Sequence, residues 1–147
     1  MSEERFVRAA AIYVRLGLGT AFLSAVADRF GLWGPFGHPH VAWGDFGHFI
    51  AYTAKLNRFL PLALIPALAW IVTLAELALA VALLTSLYLR PAAFLSGLLL
   101  TLFALAMTFA GGVKAPLDYS VFSAAGGAFL LGAVTKPNWR SRYRSHY

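Results

Sequence analysis

The sequence predicts an all-α fold: a transmembrane four-helix bundle with an amphipathic interfacial helix between its first two spans. Three observations carry that expectation. Of the 147 residues, 60% are hydrophobic and 12% charged, with a mean hydropathy of +0.70. A soluble domain would be nearer half apolar and a quarter charged. The longest apolar run, residues 59–89, contains one acidic or basic side chain, Glu76, and exceeds the roughly 20 residues that a membrane-crossing helix requires. Basic residues stand at the ends of the apolar runs and in the C-terminal tail, which is the pattern of membrane topology.

The first span is expected over residues 9–27. Ala11, Arg15, Leu18, Phe22 and Val26 share a face, and Gly17, Ala21 and Ala25 recur every fourth residue, a spacing that permits close helix packing. Ala25, Val26 and Ala27 have the small-residue pattern of a signal cleavage site. Arg15 interrupts the apolar core, however, and Glu3 and Glu4 do not suit a positively charged leader, so the segment is read as a retained span.

Asp28 and Arg29 end this helix. Residues 31–45 are rich in glycine, proline, tryptophan and histidine and read as an irregular interfacial loop. Asp45 is placed to cap a helix running to about residue 58. Its stripe of Phe46, Phe49, Ile50, Thr53 and Leu56 opposes His48, Lys55 and Arg58, which suits a helix lying on the bilayer or over the bundle mouth.

The second span is expected over residues 62–88, with Pro61 in its first turn and a kink at Pro66. Ala69, Thr73, Glu76, Ala80 and Leu83 form its packing stripe. Arg90 and Pro91 make the next connection. The third span covers residues 92–110, with Gly97, Thr101, Ala104 and Thr108 on one face. Asp118 is expected to cap a shorter fourth span, residues 119–134, which carries Ser120, Ser123 and Gly127. Counting Arg5, Arg8, Arg90, Lys136, Arg140, Arg142 and Arg144 against Arg29, Lys55, Arg58 and Lys114 places both termini in the cytoplasm. The whole chain, residues 1–147, is one domain.

Arg15 with Leu16 and Gly17, then Glu76, then the sequence Lys114-Ala115-Pro116-Leu117-Asp118-Tyr119-Ser120 resemble the DoxX family of small four-helix membrane proteins. The resemblance covers nearly the whole chain, and the order of these features carries it. It implies a bacterial or archaeal cytoplasmic membrane and intramembrane charges at Arg15 and Glu76. It also implies a redox-associated accessory subunit, more than a stand-alone enzyme, that binds quinone or anchors an oxidoreductase partner. Two other functions fit the residues: a small transporter for a polar solute and a structural membrane protein.

Several chemistries find no support. With no cysteine, thiol–disulfide exchange, iron–sulfur ligation and thiolate zinc sites are excluded. No histidine lies in an expected span, so no intrinsic haem is expected. His38, His40, His48 and Asp45 match no strong metal motif, so no metal is expected and quinone is the one cofactor considered. The net charge of +6 is explained by topology, so the expected partner is the bilayer and not nucleic acid. Self-association is compatible with the small-residue stripes. Burial cost predicts that Glu76 and Arg15 pair inside the bundle, either as a structural ion pair or as a proton or quinone-carbonyl site. Asp28, Arg29, Lys114 and Asp118 are expected to gather at the outer mouth, available to a headgroup or small anion.

Overall fold

Apolar runs without interior proline become long helices. The computed structural model describes residues 2–135, and their ordered secondary structure is wholly helical. Helix α1 is Glu3–Arg29, α2 is Phe46–Leu56, α3 is Ile65–Thr85, α4 is Leu89–Gly111, α5 is Lys114–Asp118 and α6 is Val121–Val134; a 3₁₀ turn, Leu62–Leu64, precedes α3. Three segments are long and apolar enough to cross a membrane: Glu3–Arg29, Leu62–Thr85 and Leu89–Gly111. With 14 residues, α6 is shorter. The basic tail residues Lys136, Arg140, Arg142 and Arg144 lie outside the described residues.

The expected kink at Pro66 does not form, because Pro66 falls in the first turn of α3, where its missing N–H leaves no hydrogen bond broken. Pro91 likewise sits in the first turn of α4. Arg90 and Pro91 are therefore helical, and the connection is made by residues 86–88, with Ser86 and Tyr88 in the left-handed region (φ 63° and 48°). Asp118 does not cap the last helix. It ends α5, and the N-cap of α6 is Ser120, which makes no side-chain capping bond.

Helices α1 and α3 pack antiparallel, as do α4 and α6, and the two pairs adjoin through α3 with α4 and α1 with α6. The seams are built from small residues, as close approach of helix backbones requires. The core joins Leu18 and Phe22 of α1, Ala80 and Leu83 of α3, Ala92 and Ala93 of α4, and Ala128 and Leu131 of α6. The expected stripe on α3 is buried from Ala69 through Leu83. On α1 the glycine that packs is Gly19, not Gly17: a Cβ at Gly19 would lie 2.7 Å from Leu84 Cγ, whereas Gly17 faces open space. Between α4 and α6 two glycine sockets are reciprocal. The ring of Phe129 fills the space over Gly97, and the ring of Phe94 fills that over Gly132.

The register of α1 on α3 positions the site. Arg15 reaches Ser86, Gly19 faces Leu84, and Arg29 reaches Thr73 and Glu76. The last residue of α1 is thus level with the middle of α3. The first eight residues of α3, about 12 Å of helix, stand beyond the end of α1. The loop after α1 and α2 fill that step. Phe46 packs on Trp70, with centroids 4.3 Å apart, and on Phe30 at 5.8 Å. Of the two expected placements for α2, the structure has the one over the bundle, with Phe49 and Thr53 buried.

Candidate functional site

Arg29 is 2% exposed, which a guanidinium tolerates only with partners on every side. Its Nη1 donates to Thr73 Oγ1 at 2.8 Å and lies 2.5 Å from Glu76 Oε2. Thr73 in turn donates to Ala69 O, so the hydroxyl serves as both acceptor and donor. Phe49 of α2 lays its ring 3.7 Å from Arg29 Cζ, and Trp43 approaches to 5.2 Å. Such contacts gain most where the cation is desolvated. One arginine therefore joins α1, α2 and α3.

Glu76, also 2% exposed, has Arg29 as its partner. This corrects the expected Arg15–Glu76 pair. Arg15 stands 14 residues before Arg29, about 21 Å along α1. It hydrogen-bonds Ser86 at the C-terminal end of α3, where a cation also meets the negative end of the helix dipole. The contact between Glu76 Oε2 and Arg29 Nη1 is an ion pair and not a hydrogen bond. Glu76 Oε2 and Arg29 Nε are thus buried without a hydrogen-bond partner among the described residues. The guanidinium keeps one buried donor, Nε, without a hydrogen bond, while its Nη1 is shared by the Glu76 carboxylate and the Thr73 hydroxyl.

Asp28 has a separate task. Its Oδ2 accepts the backbone N–H groups of Ala42 (2.8 Å) and Trp43 (3.2 Å), and its Oδ1 accepts that of Gly44 (3.3 Å). The carboxylate ties the end of the loop to the end of α1. Lys114 and Asp118 are exposed and pair with each other along α5. The four charges expected to share one mouth are therefore satisfied separately: Asp28 by backbone, Arg29 by Glu76, and the last two by each other. On α2, Asp45 Oδ1 accepts His48 N–H at 2.9 Å and Oδ2 meets the His48 ring at 2.7 Å, which hold the Asp45 carboxyl below its ordinary range.

A groove of about 460 Å³ runs along the side of α1 beside the loop, lined by Ala21, Ser24, Ala25, Asp28, Trp33 and His40. Trp33 Nε1 donates to Ser24 O at 3.2 Å, fixing the indole at its rim.

Thr73, Phe49 and Trp43 are site residues that sequence reasoning missed. Thr73 shares the stripe of Glu76, one turn away, which is the signal that could have found it. The aromatic partners carry no such signal, because only the fold brings α2 over Arg29. No family model, curated protein or solved structure matches the chain.

Proposed function

We propose that the protein is an integral membrane protein of the DoxX type, an accessory subunit of a redox system that holds a quinone at the Arg29–Glu76 pair and docks an oxidoreductase partner. The observation that carries this reading is the buried ion pair in which Arg29 Nε and Glu76 Oε2 make no hydrogen bond among the described residues, in a site walled by Phe49 and Trp43. A quinone carbonyl accepts from the first, and a quinol hydroxyl donates to the second. The groove beside α1 supports the reading as a resting place for the isoprenoid tail. In this arrangement α6, preceded by α5, completes a four-span bundle with both termini in the cytoplasm. Electrons come from the partner's cofactor, because the chain has no thiols and no histidine in its spans.

Photolabelling with an azido-quinone in native membranes tests this, with labelled peptides mapped by mass spectrometry. Labelling within residues 43–49 or 69–76, lost in Glu76→Gln and competed by excess quinone, is the expected result. Labelling that no quinone competes would sink the proposal. Flux of a polar solute into vesicles containing this protein alone would favour a transporter instead.

A further inference from the structure

Helix α2 begins where the restraint on its stem ends. The N–H groups of Ala42, Trp43 and Gly44 are tied to Asp28, and Asp45 is the first residue beyond that anchor. Gly44 has φ +69°, a left-handed conformation open to glycine at low cost. At the other end, α2 runs out at Asn57 into a turn closed by Leu60 N–H to Asn57 O. Among the described residues, no hydrogen bond joins residues 45–60 to the rest of the chain. The helix is held by rings: Phe46 on Phe30 and Trp70, His48 on Phe36, and Phe49 on Trp43 and on the Arg29 guanidinium. Its closed position also covers two polar atoms that have no hydrogen-bond partner, Arg29 Nε and Glu76 Oε2. Closure is therefore opposed by an unmet polar demand and favoured by the stacking of Phe49 on a desolvated cation.

We propose that α2 is a hinged lid, latched by Phe49 on Arg29, which opens the Arg29–Glu76 pair to the outer face while residues 42–44 stay tied to Asp28. The proposal rests on the reading of that pair as a ligand site, and it makes the lid the control on access. Its test needs no ligand. The chain contains no cysteine, so single cysteines report local opening through their rate of reaction with a membrane-impermeant maleimide in reconstituted vesicles. Thr53→Cys lies on the buried face of α2, and Ser96→Cys, buried in α4, is the control.

Adding Phe49→Leu should raise the rate at position 53 about tenfold, while Phe49→Tyr, which keeps a ring over the guanidinium, should leave it within about twofold. The rate at position 96 should change in neither. An unchanged rate at 53 in Phe49→Leu overturns the latch, as does equal acceleration by Phe49→Tyr. A parallel rise at position 96 overturns the hinge, because the bundle is then loosening as a whole. Absence of competable quinone labelling, with the lid kinetics as expected, would remove the functional reading and leave the lid standing.

Discussion

Removing one member of the Arg29–Glu76 pair leaves a charge without its counterpart in an apolar interior. Arg29→Gln and Glu76→Gln should each cost about 3–5 kcal/mol, and the double substitution should cost less than their sum. Arg15→Gln combined with Glu76→Gln should instead be additive to within about 0.5 kcal/mol, because the two side chains share no partner. Thermal melting in detergent measures both cycles, and coupling of Glu76 to Arg15 as strong as to Arg29 would contradict the observed register. Asp45 gives a pH-dependent counterpart. The His48 N–H bond holds its carboxyl below the ordinary value of 3.8. A depressed acid contributes stability above that value and loses it as pH falls through the lower, folded value. Exchange protection in the first turn of α2 should therefore fall on acidification below 3.8, and Asp45→Asn should abolish that dependence. If protection in Asp45→Asn titrates like the wild type, another group is responsible. The sequence made it legible that Glu76 needs a cation and that Asp45 caps a helix. Which arginine serves Glu76 depends on how far α1 is offset along α3, and no local pattern encodes that.

At the scale of the elements, close approach explains which glycines matter. A Cβ at Gly97 would lie 2.7 Å from the Phe129 ring, so Gly97→Ala must displace an aromatic side chain and should cost about 1–3 kcal/mol. Gly17 has nothing within reach of an added Cβ, so Gly17→Ala should be neutral or stabilise by up to about 1 kcal/mol through helix propensity. Comparing the melting of the two variants checks the seam. Equal destabilisation would mean that Gly17 faces an unseen neighbour, such as a second copy. Helices α1, α2, α3, α4 and α6 were legible in the sequence as apolar periods, and the α2 and α3 stripes were read residue by residue; the five residues of α5, 114–118, carry no such period and were read as a loop. Glycine spacing alone misled at Gly17, because lipid-facing and helix-facing glycines look alike in sequence. The connection near Arg90 was misplaced because proline is as acceptable in the first turn of a helix as in a turn.

For the molecule as a whole, composition alone made the class legible: three segments suit a bilayer in length and hydropathy. With α6 as a fourth crossing, topology reporters fused after residue 90 and after residue 135 should report the cytoplasm. One fused near residue 40 should report the opposite side. A reporter after residue 135 on the far side would reduce the bundle to three crossings and make α6 a peripheral packing element. What composition could not convey is that the helices end at different levels. An assumption of equal ends puts Arg29 at the mouth, whereas the step between α1 and α3 places it beneath α2, and the candidate site exists because of that step.

The close approach of Gly31 and Gly44 brings together the two stems of the intervening chain. A Cβ on Gly31 would lie 2.8 Å from Gly44 O, so the two stems meet at their base. Between the stems Trp33 bonds Ser24 O, Phe36 stacks on His48 and Asp28 holds residues 42–44, so the free part is the tip around Gly37. Doubling such a loop costs only about 0.6 kcal/mol in closure entropy. Length at the tip is therefore close to neutral under selection, and the position can accept an insertion or an affinity tag. A short Gly/Ser insertion after Gly37, which has no neighbour within 4 Å of an added Cβ, should leave the melting temperature nearly unchanged. The same insertion after Trp43 should lower it by displacing the backbone that Asp28 holds. Equal losses at the two positions would show that the tip is bound into the fold.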